Sequence, residues 1–243
     1  MQTTAQMYNI SQTRLDELCH EINAYPVPDY ERFFITRFGN LYIISIDEDK
    51  VVSLKPVTPN KIEKNGVCEY SICTATDEIE HRTNVWLCAR TFYGYFPEEY
   101  IQLIDDRFID SRSIKFDLGE IVKIGENTLS IRGIRFKRIY YLGTMYTDCF
   151  ISSRGVLYNG IKGKISPHQF QYNMYHRHYV VIRDGSEYSQ HMVSTHRLVF
   201  NTWNNTWIDD KEQINHIDGF KYHNNLEKAT QFENMRHVRK AGP

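Results

Sequence analysis

Short runs of alternating apolar and polar residues dominate the chain, and they come in two sets with similar spacing. Phe34-Ile35-Thr36-Arg37-Phe38-Gly39-Asn40-Leu41-Tyr42 reads as a strand, a tight turn at Gly39 and the start of a second strand. The pattern returns 116 residues later as Phe150-Ile151-Ser152-Ser153-Arg154-Gly155-Val156-Leu157-Tyr158. Phe, Ile, Gly, Leu and Tyr recur in register, and Ser replaces Thr. Tyr70-Ser71-Ile72 and Tyr179-Val180-Val181-Ile182 follow as matching strands. Next come two short amphipathic helices over 85–92 and 196–203, the second with Ser194 or Thr195 as its N-cap. Ile101-Gln102-Leu103-Ile104-Asp105-Asp106 then aligns with Ile214-Asn215-His216-Ile217-Asp218-Gly219. Matches in one order at nearly constant offset predict an α+β fold built from tandem duplicated halves.

Two segments fall outside the repeat. Ser11 to Asn23 places Leu15, Leu18, Cys19 and Ile22 on one helical face, and Pro26 and Pro28 are expected to end that helix. Ile121 to Leu142 alternates Ile131, Ile134, Phe136 and Ile139 with Arg132, Arg135, Lys137 and Arg138, as a hairpin with a basic face or a basic linker strand would. The expected organisation is an N-terminal helix over 1–27, a first half over 28–120, a basic linker or hairpin over 121–145 and a second half over 146–243.

Net charge is −1, so the chain has no global basic signature. Its cations cluster, however, between Arg107 and Arg138 and again near the C-terminus, and a local basic face can hold a phosphate backbone. The five cysteines form no Cys-x-x-Cys pair. With no leader peptide in view, this predicts reduced thiols in a cytoplasmic setting. No apolar run approaches the roughly 20 residues of a membrane span.

The two halves differ where chemistry would sit. Val85 stands where the second half has His196, and Leu103 where it has His216. Valine and leucine fill a core but neither bind a metal nor move a proton. The first half therefore reads as a degenerate copy, and candidate chemistry belongs to the second.

The order Asn215-His216-Ile217-Asp218-Gly219, Asn225-Leu226-Glu227, Glu233-Asn234 resembles the core of HNH endonucleases, in particular the phage and intron-encoded homing type. That resemblance implies a ββα-metal (His-Me finger) core in the second half and a metal-dependent phosphodiester hydrolase acting on double-stranded DNA. In its pattern His216 is the general base, Asn225 braces the loop, and Asn215 and Asn234 hold one divalent ion. Mg²⁺ or Mn²⁺ suits such an oxygen-rich site, and an imidazole titrates near neutrality without tuning. Leu226, Ala229 and Phe232 are expected on the buried side of the helix that presents Asn225 and Asn234. Many relatives carry Asp where this chain has Asn215, and the loop after His216 is shorter than theirs. Asn224 is accordingly a rival for the bracing role, and Asp218 is either an extra ligand or part of an ordinary Asp-Gly turn.

His196-Arg197-Leu198-Val199 resembles a second hallmark of that subgroup, read as phosphate contact or bracing. The expected DNA contacts are His196, Arg197, Lys221, Arg236, Arg239, Lys240, Arg135 and Arg138. Pro28-Asp29-Tyr30-Glu31, with the strand and Gly39 after it, is similar to the small DNA-binding module that precedes such cores. The remaining histidines show no metal spacing, and His176-Arg177-His178 reads as a strand with one side chain on each face. No small-molecule cofactor and no membrane partner are expected, and tandem halves allow the protein to act as a monomer along the duplex. A DNA-binding regulator that no longer cuts, and a structural or protein-binding role for the same fold, are the alternatives.

Overall fold

The structure is a computed structural model and describes residues 10–30, 32–74, 76–141, 143–170, 176–184, 187–208, 212–216 and 226–230. The chain divides between Asp117 and Leu118 into two compact units.

The first unit starts with helix α1 (Gln12–Ile22). A four-stranded antiparallel sheet follows in chain order: β1 (Ala24–Pro26), β2 (Phe33–Thr36), β3 (Leu41–Ile46) and β4 (Val52–Pro56). A second sheet holds β5 (Lys61–Ile62), β6 (Cys68–Cys73) and β7 (Ile79–Thr83), and β7 runs directly into helix α2 (Asn84–Tyr93). Strands β8 (Ile101–Leu103) and β9 (Ile114–Phe116) close the unit as a two-stranded ribbon.

Helix α1 begins where the apolar spacing places it. The Ser11 hydroxyl accepts a hydrogen bond from the Arg14 amide at 3.2 Å, satisfying one of the free donors of the first turn. The helix ends at Asn23, left-handed at φ 52°, and not at a proline; Pro26 already lies in β1. Leu15 and Cys19 pack with Ala24, Phe34 and Ile44 into the core of this unit.

The second unit opens with a six-stranded antiparallel sheet in chain order: β10 (Ile121–Gly125), β11 (Thr128–Ile131), β12 (Ile134–Tyr141), β13 (Thr144–Ser152), β14 (Leu157–Asn159) and β15 (Lys164–Ser166). Residues 121–141, read from sequence as a hairpin or linker, are thus three strands of this sheet. A three-stranded sheet follows, of β16 (Gln169–Phe170), β17 (His176–Asp184) and β18 (Glu187–Ser194). Then come helix α3 (Thr195–Asn204) and the ribbon of β19 (Gln213–His216) and β20 (Leu226–Ala229). Leu198 and Val199 of α3 pack on Ile139, Cys149, Ile151, Leu157, Val180 and Val193. The Thr202 hydroxyl accepts from the Tyr140 amide at 3.1 Å, pinning the helix to β12.

From β2 to β9 the order is three strands, three strands, helix, two strands, and it recurs from β13 to β20 with the same antiparallel pairings. The turns agree in detail. The Thr36 hydroxyl accepts from the Asn40 amide at 3.2 Å, and the Ser152 hydroxyl accepts from the Val156 amide at 3.0 Å. Gly39 and Gly155 sit at φ 77° and 80°, a region that favours glycine.

One expected correspondence shifts by a residue. Tyr70 pairs with Arg82, the residue before the N-cap of α2, and His178 pairs with Val193, the residue before the N-cap of α3. Tyr70 therefore corresponds to His178 and not to Tyr179. Tyr70 is 3% exposed and Tyr179 is 41% exposed, the inversion that a one-residue slip along a strand produces.

Candidate functional site

The segment that carries the candidate chemistry enters from helix α3. Asn205 takes a left-handed conformation at φ 49° and ends the helix. The side chain of Asn201 accepts from the Ile208 amide at 3.3 Å, which fixes the exit loop. Residue 212 then leads into the β19–β20 ribbon.

The register is Gln213 opposite Ala229, Ile214 opposite Lys228, Asn215 opposite Glu227 and His216 opposite Leu226. Asn215 and His216 thus occupy the last two positions of β19, at the mouth of the 217–225 connection. Ile214 and Ala229 are buried, and Leu226 packs with Trp203 against the core of the unit. The expected helical placement of Leu226 and Ala229 is corrected here: both are on strand β20, hydrogen-bonded to β19. Cross-strand pairing with an adjacent ribbon overrides the helix-compatible spacing of two apolar residues three apart.

Arg197, the third residue of α3, donates through Nη2 to the backbone carbonyl of Glu212 at 2.7 Å. The carboxylate of Glu212 in turn pairs with Lys228 of β20. Arg197 and Lys228 together tie the start of β19 to the helix and to the neighbouring strand. This bond joins Arg197 to the segment that leads into β19. His196 precedes it on the helix and is half-buried.

Asn225, Asn234, Lys221, Arg236, Arg239, Lys240, Asn224, Asp218 and Phe232 lie outside the described residues. Among the described residues no group of three His, Cys, Asp or Glu side chains is arranged to hold a metal. The donor set that the sequence offers here, an imidazole with amide oxygens, is neutral. Glu227, directly opposite Asn215, brings a carboxylate to the same end of the ladder, which a hard divalent ion requires more than amides alone. The sequence motif includes Glu227 without giving it a role, because only strand register sets it opposite Asn215.

Arg135 and Arg138 fall on different sides of the six-stranded sheet. Arg135 is exposed and pairs with Ser130, whereas Arg138 pairs with Phe150 and its guanidinium lies 5.6 Å from that ring centre.

The equivalent ribbon of the first unit is apolar at the same point. Leu103 stands opposite Ile114 as His216 stands opposite Leu226. Its connection, 104–113, is held by protein contacts. Asp110 caps a short 3₁₀ turn over Ser111–Ser113 and accepts from the backbone and guanidinium of Arg112, which holds its carboxyl below the usual range. The Ser111 amide donates to the Arg37 carbonyl at 2.7 Å, and the Tyr93 hydroxyl donates to the Ser111 carbonyl at 3.1 Å.

The Pro28-Asp29-Tyr30 lead of the first unit is also engaged internally. Asp29 pairs with Arg90, and the Tyr30 hydroxyl donates to Glu80 at 2.5 Å while its ring meets Trp86 edge-on. Burial and Glu80 push the Tyr30 hydroxyl up to about 12.

A group of histidines in the second unit had no visible signal in the sequence. His168 and His178 both direct Nε2 to the Gly155 carbonyl, at 3.3 Å and 2.9 Å. A carbonyl only accepts, so each Nε2 carries the proton. The His176 and His178 rings both lie against His168, at 4.5 Å and 4.6 Å between centres, so the two imidazoles share one face of β17 and are not set one on each face as expected from the sequence. Burial pushes the His178 imidazole down to about 4, against the opposing pull of the Gly155 and Pro167 carbonyls.

No family model and no curated protein matches the chain. Among solved structures, one described as DNA binding and cleavage by the HNH homing endonuclease I-HmuI is similar at 24% identity and a TM-score of 0.35. The alignment covers 43% of this chain and 57% of that one, so this chain spans less than two thirds of that structure's length.

Proposed function

We propose that the second unit is a metal-dependent DNA endonuclease of the HNH homing type and that the first unit is a degenerate copy serving DNA contact or scaffolding. The observation that carries this reading is the β19–β20 ribbon. It places Asn215-His216 at the mouth of the connection that holds Asn225, with the segment leading into β19 bonded to helix α3 through Arg197. Two antiparallel strands joined by a connection match the ββ part of a ββα frame, with Asn215 and His216 on the first strand and Leu226 and Glu227 on the second; the helix that would carry Asn234 lies outside the described residues. The shared element order of the two units supports duplication, and Leu103 opposite Ile114 supports loss of chemistry from the first.

In this reading His216 takes the proton from a water that attacks phosphorus, and Asn225 braces the connection. Asn215 and Asn234 would hold one Mg²⁺ or Mn²⁺, which supplies charge stabilisation at the scissile phosphate when bound. The leaving group is the 3′-oxygen, so the product is a nick with a 5′-phosphate.

A second reading is a DNA-binding regulator of the same descent that does not cut. The neutral Asn215 favours it, as does the first unit, in which the same ribbon persists with an apolar residue at the His216 position.

The deciding experiment is conversion of supercoiled plasmid by the full chain in Mg²⁺ or Mn²⁺, with His216→Ala alongside. Nicking by the native protein, and binding without nicking by the variant, is the expected result. Equal nicking by both would overturn the role of His216, and a sequence-specific DNA shift with no cleavage in any divalent metal would select the regulator.

A further inference from the structure

We propose that the β11–β12 hairpin presents a face that binds the backbone of duplex DNA, carried by Arg135 and Lys137, and that Arg138 lies outside it. This rests on the DNA-binding reading above and names the surface that performs it.

Strand register separates the cations. Ser130 pairs with Arg135 and Thr128 with Lys137, so these four residues share one face of the hairpin. Arg138 is next to Lys137 and therefore points to the other face, where it stacks on Phe150. Helix α3 packs on the Lys137 side, over Cys149, Ile151 and Leu157. Beyond the helix this side of the sheet continues as Thr128, Ser130, Arg135 and Val122, the last 44% exposed. The Trp203 ring centre lies 5.1 Å from Lys137 Nζ, so the indole supports that ammonium at the edge of the face.

The tip of the hairpin is a two-residue turn, with Ile131 paired to Ile134 and Arg132 and Gly133 at φ 50° and 77°. Positive φ at both turn residues gives the tightly twisted type of hairpin. The Arg132 guanidinium is folded back against Gly119. β11 and β12 are inner strands, with β10 beside β11 up to Ile121 opposite Ile131, so the basic residues are presented on a sheet face and not on a free two-stranded ribbon.

Charge identifies the partner. On this face Arg135 and Lys137 stand with Val122, Thr128 and Ser130 and no carboxylate, in a chain whose net charge is −1, whereas Lys123, paired to Leu129, and Arg138 lie on the other face. A polyanion is the complement of that concentration, and the hydroxyls of Thr128 and Ser130 beside the cations suit phosphate oxygens. The choice of DNA as the polyanion follows from the DNA-binding reading above. In the first unit β1 pairs with β2 as β12 pairs with β13, and among the described residues no strand lies on the far side of β1, so β10 and β11 extend the sheet of the second unit.

The test is equilibrium binding of the full chain to a labelled duplex of arbitrary sequence across a salt series, with calcium or EDTA present so that cleavage does not intervene. The slope of log affinity against log salt falls by about 1 for each phosphate contact removed. Arg135→Gln with Lys137→Gln is expected to lower the slope by about 2, and Lys162→Gln, an exposed cation off this face, is expected to leave it unchanged. Matching far-UV circular dichroism shows that the variants are folded. A double variant with the native slope, or an equal loss in Lys162→Gln, overturns the assignment of the face while leaving DNA binding intact. Tighter binding of an RNA duplex overturns the choice of DNA. Absence of salt-dependent binding by the native protein overturns the DNA reading itself.

Discussion

His178 donates through Nε2 to the carbonyl of Gly155 at 2.9 Å, and Tyr70 donates through its hydroxyl to the carbonyl of Gly39 at 3.1 Å. Each donor stands on the middle strand of a three-stranded sheet, one pairing step before the helix. Each acceptor is the positive-φ glycine of the turn between the first two strands compared. One structural task, tying the turn to the neighbouring sheet, is performed by a phenol in one unit and an imidazole in the other.

The imidazole makes the second unit acid-sensitive. Burial lowers the His178 pKa to about 4 from 6.5, so the folded protein keeps it neutral where the unfolded chain takes up a proton. The unfolded state binds more protons through that window, so stability falls as pH drops from about 6.5 toward 4 and levels off below. The shift corresponds to about 3 kcal/mol at most. Urea unfolding of the second unit at a series of pH values should show that decline, and His178→Gln, which keeps a donor but does not titrate, should flatten it. An unchanged slope in the variant would assign the decline to other groups.

The turn glycine of the first unit admits no side chain. A Cβ on Gly39 would lie 2.6 Å from a Phe108 ring atom and 2.9 Å from the Asn84 amide nitrogen, at φ 77°. Both neighbours are buried, so Gly39→Ala should cost more than about 1 kcal/mol. Thermal unfolding should record it as a lowered transition assigned to the first unit. A near-neutral effect would mean that Phe108 and the 104–113 connection yield easily.

Much of this fold was legible in the sequence because local rules decide it. The Gly39 and Gly155 turns, helix α1 and the two helices that follow β7 and β18 are set by turn chemistry and helical spacing over a few residues. What was not legible depends on register. Only pairing to β18 shows that His178, and not Tyr179, faces inward, and only pairing to β19 makes Leu226 and Ala229 strand residues. The same applies to chemistry. His168, His176 and His178 are close in sequence, but only the pairing of β17 sets the last two on one face against the first. Arg135 and Arg138 look equivalent in a basic run until the ladder assigns them to opposite faces. For the candidate site, Asn215 and His216 are singled out by residue order alone, whereas the bond from Arg197 to the Glu212 carbonyl depends on the helix lying beside the start of β19.

The connection of the first unit is held by one buried carboxylate. Asp110 is 6% exposed and accepts from the Arg112 amide at 2.7 Å as well as from its guanidinium. Hydrogen bonding to Arg112 holds its carboxyl below the usual value, so this contribution is present above the unfolded pKa and is lost as pH falls through the folded one. Arg112 is largely exposed, which screens the ion pair and leaves the cap as the main effect. Asp110→Ala should destabilise the first unit by about 1 kcal/mol, and Asp110→Asn by less, since the amide oxygen still accepts. Hydrogen exchange at Ser111 and Arg112 amides should rise in the alanine variant. If it does not, the Ser111 contacts to Arg37 and Tyr93 hold the connection unaided.

Arg197 separates bracing from DNA contact. Its Nη2 donates to the Glu212 carbonyl at 2.7 Å, one residue before β19 begins, and Asn215 and His216 follow on the same strand. Loss of a charge-assisted bond to a carbonyl costs about 1.5–3 kcal/mol, and the freed strand end would move the Asn215-His216 pair relative to helix α3. Arg197→Met keeps much of the aliphatic stem while removing the donor. If Arg197 acts through the strand, nicking by this variant should fall in kcat, with KM and the salt slope of DNA binding near native values. Arg197→Lys, which retains a donor and the charge, should recover part of the rate. If Arg197 contacted phosphate instead, the methionine variant would lose about 1 from the salt slope and show a raised KM with little change in kcat. The salt slope can be measured without cleavage, so the comparison holds for either reading of the protein's activity.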